Sequence, residues 1–257
     1  MDRIDSYEDL ESDIVRWLKD YYWQYSIKAF VVGVSGGIDS AVSSTLAART
    51  GMKTYVLIMP IYQNPEETSR GNEHCKWLHE KYPNVEMIPV ELSDVYDTYR
   101  NSVPSKFDNE LALANTRARI RMTTLYMVAG STKGLVVGTG NKVEDFGVGF
   151  YTKYGDGGVD ISPIGDLMKS EVYELAKDLG VVQSIIDAKP TDGLWEDRRT
   201  DEDQLGVSYE ELEWAMEYSE QPNGDLSDRQ NDVLKTYSKH RKANMHKMVE
   251  IPVFKEL

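Results

Sequence analysis

The stretch Phe30-Val31-Val32-Gly33-Val34-Ser35-Gly36-Gly37-Ile38-Asp39-Ser40 constrains this chain more than any other. An apolar β-branched run is followed by a small-residue turn and then by an alanine-rich segment. That order reads as strand, loop and helix. The loop then lies at the carboxyl end of a strand, where open α/β sheets bind their ligands. Gly36 and Gly37 carry no Cβ, so backbone N–H groups can close around an anion and positive φ is allowed. Ser35 and Ser40 add hydroxyls, and a helix starting near Ile38 turns its positive end to the same point. The expectation is a phosphate cradle running from Gly33 and Val34 through Ser40. Asp39 fits beside a phosphate only with a divalent cation between the two. The spacing is not that of a P-loop, since no Lys follows the glycines, nor that of G-x-G-x-x-G.

The bulk properties narrow the class. A chain of 257 residues can bury a substantial core and is expected to form one domain over residues 1–257. No run approaches the roughly 18 apolar residues of a membrane span, and the N-terminus lacks the regions of a signal peptide. The single Cys excludes an internal disulfide framework and points to a reducing cytoplasm. A net charge of −14 argues against a general nucleic-acid binder. Any phosphate site must therefore be assembled locally from cations, backbone N–H groups and metal.

Taken in order, the chain alternates helices with strands. A helix is expected from Tyr7 to Tyr25, with Leu10, Ile14, Trp17, Leu18, Tyr21 and Tyr25 as its apolar stripe. Strands are expected at Lys53 to Met59, Val85 to Val90 and Gly134 to Asn141, with helices between them. This pattern predicts an α/β fold with a doubly wound parallel sheet and flanking helices, Rossmann-like in type. Polar loops near 61–70 and 188–206 are candidates for mobile active-site segments. Cys75, beside His74, reads as a packing residue, because neighbouring helical positions point about 100° apart. On the long helix from Phe107 to Gly130, Arg117 and Arg121 share a face and Arg119 does not. One inward arginine and two at the surface is the economical picture. Glu144, just past the fourth strand, could converge with Asp39, and two carboxylates with phosphate oxygens and water suit Mg²⁺. Ser162 to Val172 is expected to open a helix running to Leu179, with Lys169 in its first turn. That is a poor place for a cation unless an anion is close, so Lys169 is expected to meet phosphate. Ser208-Tyr209-Glu210-Glu211 opens another helix as a capping box, and helical segments run on to Met245-His246-Lys247.

The loop S-G-G-x-D-S resembles that of the ATP-pyrophosphatases, and the chain as a whole resembles ammonia-dependent NAD synthetases from about residue 7 to 250. The resemblance is carried by Gly33–Ser40, by Asn115-Thr116-Arg117-Ala118-Arg119-Ile120-Arg121-Met122 and by Gly138-Thr139-Gly140-Asn141 with Glu144. Further matches are Asp166-Leu167 with Lys169 and Glu171-Val172, and Thr200-Asp201-Glu202 with Leu205-Gly206. The specific piece is Thr152-Lys153-Tyr154-Gly155-Asp156-Gly157-Gly158. The resemblance implies an adenine nucleotide alpha hydrolase-like fold. It implies ATP held by residues 33–40, Thr139, Lys169 and Thr191, and Mg²⁺ on Asp39 and Glu144. Deamido-NAD would meet Arg119, Lys153, Asp160, His246 and Lys247. The implied reaction adenylates the nicotinate carboxylate of deamido-NAD, releases pyrophosphate, and lets ammonia displace AMP to give NAD, the last step of NAD biosynthesis.

The implied enzyme is a homodimer without a glutaminase domain and needs no covalent nucleophile of its own. Arg198-Arg199 depart from the family pattern in the expected lid. A tRNA-thiolating relative would predict a basic surface and more cysteines. A silent nucleotide-binding protein would predict loss of residues of the Asp39 or Glu144 type.

Overall fold

The computed structural model describes residues 4–191 and 200–255. Residues 192–199, the centre of the expected lid with Arg198-Arg199, lie outside the described residues. Four strands form one all-parallel sheet in the order β3-β2-β1-β4, namely β1 (Ala29–Gly33), β2 (Thr54–Ile58), β3 (Val85–Pro89) and β4 (Gly134–Val136). β1 is central and its Ala29, Phe30, Val31 and Val32 are buried, as a strand covered on both faces requires. Register follows from this: Val32 pairs with Val56 and Val31 with Val136. Helix α1 (Tyr7–Gln24), α2 (Ile38–Arg49), α3 (Pro65–Lys81), α4 (Ser93–Ser102) and α5 (Glu110–Thr132) precede the last strand. They are followed by α6 (Lys169–Leu179), α7 (Gln183–Ile186), α8 (Asp201–Leu205), α9 (Tyr209–Glu220) and α10 (Asp228–Met248).

Alternation along β1 assigns the layers. Phe30 and Val32 face a cluster with Leu18 of α1, Val42 and Leu46 of α2, and Leu175 and Leu179 of α6. Val31 faces the opposite side, against Met122, Leu125 and Ala129 of α5. Each fully buried side chain of this kind contributes about 1.5–3 kcal/mol. A separate cluster joins α9 and α10 to a seven-residue π-helical turn at Lys142–Val148. The doubly wound fold expected from the sequence is the one observed.

Several boundaries differ. The fourth strand ends at Val136, not Asn141, because Val137 bridges to Ile161 and the Gly138 N–H donates to the Ile161 carbonyl at 2.7 Å. The incoming 159–161 segment turns residues 137–141 into a loop. Residues 162–168 are turns rather than the start of a helix. Helix α3 starts at Pro65, capped by the Asn64 side chain accepting from the Glu66 N–H at 3.0 Å, so the polar loop after β2 is shorter than 61–70. Helix α4 had no counterpart in the sequence reading. The α1 stripe is rotated: Ile14, Val15, Leu18 and Tyr22 are buried, whereas Trp17 and Tyr25 are 45% and 55% exposed.

Cys75 is buried, and that burial pushes its thiol up to about 12, in keeping with packing. His74 is also fully buried, with Nε2 3.0 Å from Ser44 Oγ on α2. The Ser44 hydroxyl donates to the Ser40 carbonyl at 2.7 Å, so it accepts from Nε2–H. Gly36, directly after β1, has φ +92°, and a Cβ there would lie 2.2 Å from the Glu67 carbonyl oxygen of α3.

Two predictions follow from these contacts. Burial pushes the His74 pKa down to about 4 from 6.5. The unfolded chain therefore binds a proton below pH 6.5 that the native state refuses until about pH 4. Stability is full above pH 6.5 and falls by roughly 3 kcal/mol as pH drops through that window. Denaturant unfolding of wild type and His74→Gln should show a shallower pH dependence between 6.5 and 4 in the variant. Separately, Gly36→Ala combines backbone strain with a backbone clash and should cost roughly 3 kcal/mol or more. Gly51→Ala, at φ +74° with open space around it, carries only the strain. Melting curves should therefore rank Gly36→Ala well below Gly51→Ala.

Candidate functional site

The strand order places a topological switch between β1 and β4, since the chain winds from β1 out to β3 and then returns to the other side of β1. Loops leaving these two strands diverge and open a crevice at their carboxyl ends. A cleft of about 910 Å³ occupies that place. Its floor is the residue 33–40 loop. The loop is braced by its own serines: the Ser35 N–H donates to Ser40 Oγ at 3.1 Å, Ser40 Oγ to the Gly37 carbonyl at 2.9 Å, and the Gly37 N–H to Ser35 Oγ at 3.2 Å. Gly37 caps α2 without a side chain, leaving the positive helix end directed at the cleft.

Three charged side chains from three elements meet above this loop. Lys169, the first residue of α6, is 3% exposed and places Nζ 2.6 Å from Asp39 Oδ2 and 2.9 Å from Glu144 Oε1. Asp39 comes from the first turn of α2, and Glu144 from the π-helical turn. Asn141 joins the two: its Nδ2 donates to Asp39 Oδ1 at 2.9 Å, while its Oδ1 accepts from the Val143 and Glu144 N–H groups, each at 3.1 Å. Burial opposes the Lys169 charge, but the two carboxylates outweigh it and hold its pKa above the ordinary value. Burial also pushes Glu144 up, yet Lys169 and a hydrogen bond from Tyr209 bring it below the usual range. Asp39 is raised by burial, with the Glu144 charge acting in the same direction. Tyr209 is raised by its own burial and by Glu144 and Asp201, so it stays a phenol and donates.

The anions that compensate Lys169 are thus the chain's own carboxylates, where the sequence suggested phosphate. Asp39 and Glu144 converge as expected, already bridging one cation, and hard carboxylate oxygens of this kind suit Mg²⁺. Among the described residues no group of three or more His, Cys, Asp or Glu could hold a metal. An ion here would complete its shell with ligand oxygens and water, as Mg²⁺ commonly does.

The remaining expected residues fall on the cleft with one exception. Thr139, Thr191, Arg119, Lys153, His246 and Lys247 all line it. Arg119 Nε donates to the Lys153 carbonyl at 3.2 Å, Lys153 Nζ to the His246 carbonyl at 3.1 Å, and Lys247 Nζ to the Tyr151 carbonyl at 2.7 Å. These bonds stitch α5, the 150–158 loop and the end of α10 into one cationic wall. Asp160 is outside it, fixed on β4 by the Val136 N–H at 2.8 Å and the Tyr126 hydroxyl at 2.9 Å.

Arg121 is the residue that sequence reasoning passed over. Its Nε donates to the Met59 carbonyl at 2.9 Å and a terminal nitrogen to Gln63 Oε1 at 3.2 Å, and it lines the cleft. Burial, reinforced by Arg117, pushes it down to about 10. So Arg121 is the inward arginine, Arg117 lies over the Tyr96 ring, and Arg119 borders the cleft as well. The Arg-x-Arg-x-Arg spacing carried that signal. Asn141 was also legible, as a capping residue three positions before Glu144. The buried Ser44–His74 pair is no nucleophile, being sealed in the core behind the loop.

The chain is similar to known proteins along almost its whole length. A chain from Carboxydothermus hydrogenoformans, an NH(3)-dependent NAD(+) synthetase, is 39% identical over 212 residues, covering 81% of this chain and 84% of that one. Two solved structures share the fold. The NMN synthetase from Francisella tularensis superposes with a TM-score of 0.87 at 32% identity, over 99% of this chain and 100% of the other. The NH3-dependent NAD synthetase from Campylobacter jejuni gives 0.79 at 25% identity, over 97% and 100%. The description of the NAD synthase family matches residues 10–256, nearly the whole chain, and the protein belongs to that family.

Proposed function

We propose that this enzyme amidates the nicotinate carboxylate of deamido-NAD with free ammonia, at the expense of ATP. The observation that carries this reading is the Asp39–Lys169–Glu144 cluster over the phosphate loop, facing the cationic wall of Arg119, Lys153 and Lys247 across one cleft. ATP would lie on residues 33–40 with Thr139, Lys169 and Thr191. The dinucleotide would lie on Arg119, Lys153, His246 and Lys247, the members of that set that line the cleft. Mg²⁺ on Asp39 and Glu144 would neutralise phosphate charge and supply Lewis acidity.

The chain's own part in the chemistry is positioning and charge compensation. A carboxylate is a poor electrophile, so the substrate oxygen attacks the α-phosphorus and the bond to the bridging oxygen breaks, releasing pyrophosphate. The loop N–H groups, the α2 terminus and Lys169 stabilise the departing charge. Ammonia then adds to the acyl carbon and loses a proton as AMP leaves. Arg121, half-buried at the cleft and bonded to the neutral acceptors of Met59 and Gln63, provides a further positive field for the anionic reactants.

A homodimer acting in the reducing cytoplasm fits this reading. No described helix is long and apolar enough to cross a membrane. The similarity to the Francisella NMN synthetase favours a second reading, in which the acyl substrate is a nicotinate mononucleotide.

The deciding assay supplies ATP, Mg²⁺ and ammonium with either deamido-NAD or nicotinate mononucleotide, and follows the amide, AMP and pyrophosphate. Higher kcat/KM with deamido-NAD supports the proposal; preference for the mononucleotide moves it to the second reading, and no product from either sinks both. Asp39→Asn should lower kcat and raise the Mg²⁺ concentration for half-maximal rate, each by roughly tenfold or more. An unchanged Mg²⁺ dependence would take Asp39 out of the metal role.

A further inference from the structure

We propose that Tyr209 is a positioning residue for Glu144, fixing the carboxylate that would hold the metal; this rests on the reading above. Tyr209 is the first residue of α9 and is 7% exposed. It is not among the residues lining the cleft, so it reaches the chemistry only through its neighbours. Its hydroxyl lies 2.6 Å from Glu144 Oε1 and 3.1 Å from Asp201 Oδ2. A phenol has one proton, and the shorter contact marks Glu144 as its acceptor. Charge-assisted O–H···O⁻ bonds of this length belong to the stronger class. The same ring lies under Lys169, with Nζ 4.9 Å from the ring centroid.

One side chain thus touches both an expected metal ligand and the cation that faces it. The arrangement solves a mechanical problem. Glu144 sits in a π-helical turn, a geometry rarer and less regular than an α-helix. Within that turn Asn141 holds its backbone N–H, which leaves the side chain to be aimed from elsewhere. Tyr209 and Lys169 converge on the same oxygen, Oε1, from α9 and α6. α9 is anchored independently by a capping box, in which the Ser208 side chain and Glu211 serve each other's backbone N–H groups. Ser208 and Tyr209 together therefore fix where the donor stands. Asp201, whose N–H donates to the Pro190 carbonyl at 3.2 Å, lies beside the same hydroxyl without receiving its proton.

Tyr209→Phe removes the hydroxyl and keeps the ring that packs with Leu212 and Met216 in the α9–α10 cluster. The readout is Mn²⁺ affinity by electron paramagnetic resonance with a non-hydrolysable ATP analogue, beside the Mg²⁺ dependence of kcat and the melting temperature. Mn²⁺ should bind about tenfold more weakly and the Mg²⁺ requirement rise in step, with KM for deamido-NAD within twofold of wild type. In the Glu144→Gln background the same change should add little, because the group being positioned is gone. Unaltered Mn²⁺ affinity in Tyr209→Phe, with Glu144→Gln weakened, overturns the positioning role alone. A full additional tenfold loss in the double variant overturns it too, by showing that Tyr209 acts through something other than Glu144. If Glu144→Gln also binds Mn²⁺ like wild type, the metal assignment falls together with the positioning role.

Discussion

The contact of Lys169 with Asp39 and Glu144 is the interaction on which the arrangement of this enzyme depends. Each member comes from a different element, and none has a reason to be buried alone. A cation at the first position of α6 opposes the helix dipole, and two carboxylates in one buried space repel each other. Together they compensate. Removing one would leave an uncompensated charge at low exposure, which costs far more than the pair gains over an apolar substitute. The sheet, the π-helical turn and α6 are therefore held to one relative placement by electrostatics as well as by packing.

That cluster sits at the switch between β1 and β4, and the two sides of the cleft are built differently. The side formed by the 33–40 loop is backbone: glycines, a helix end and hydroxyls that brace the loop itself. The opposing side consists of long cationic side chains, each held by a main-chain carbonyl from another segment. Carbonyl partners orient Arg119, Lys153 and Lys247 without neutralising them. Their charge stays available in a chain whose net charge is −14, and a strongly anionic substrate needs that local reversal of sign.

Much of this was legible in the residues. The run from Phe30 to Ser40 specifies a central strand and its loop, because an uninterrupted apolar strand must be covered on both faces and glycines must follow where backbone meets anion. Asp39 and Glu144 could be paired by their places after strands that lie side by side. Less legible was whatever depends on a distant segment. The end of β4 is set by Ile161, the rotation of α1 by Phe30 and Leu46, and the Lys169 partners by loop closure over more than a hundred residues in the case of Asp39. Tyr209 showed only its capping-box neighbours, since its target lies 65 residues away in sequence. Arg121 lay in plain view but was discounted, because helical geometry says which arginines share a face and not which face meets a cleft.

The glycine at position 36 has a bearing on affinity that differs from its bearing on stability. Its backbone touches the backbone of α3 near Glu67 and Gly71 with no side chain between, and the Arg70 guanidinium donates to its carbonyl at 3.4 Å. Main chain against main chain leaves no rotamers to rearrange, so the loop and the first turns of α3 behave as one body. An anion arriving at the loop finds its N–H groups already fixed, and little conformational entropy remains to be lost on binding.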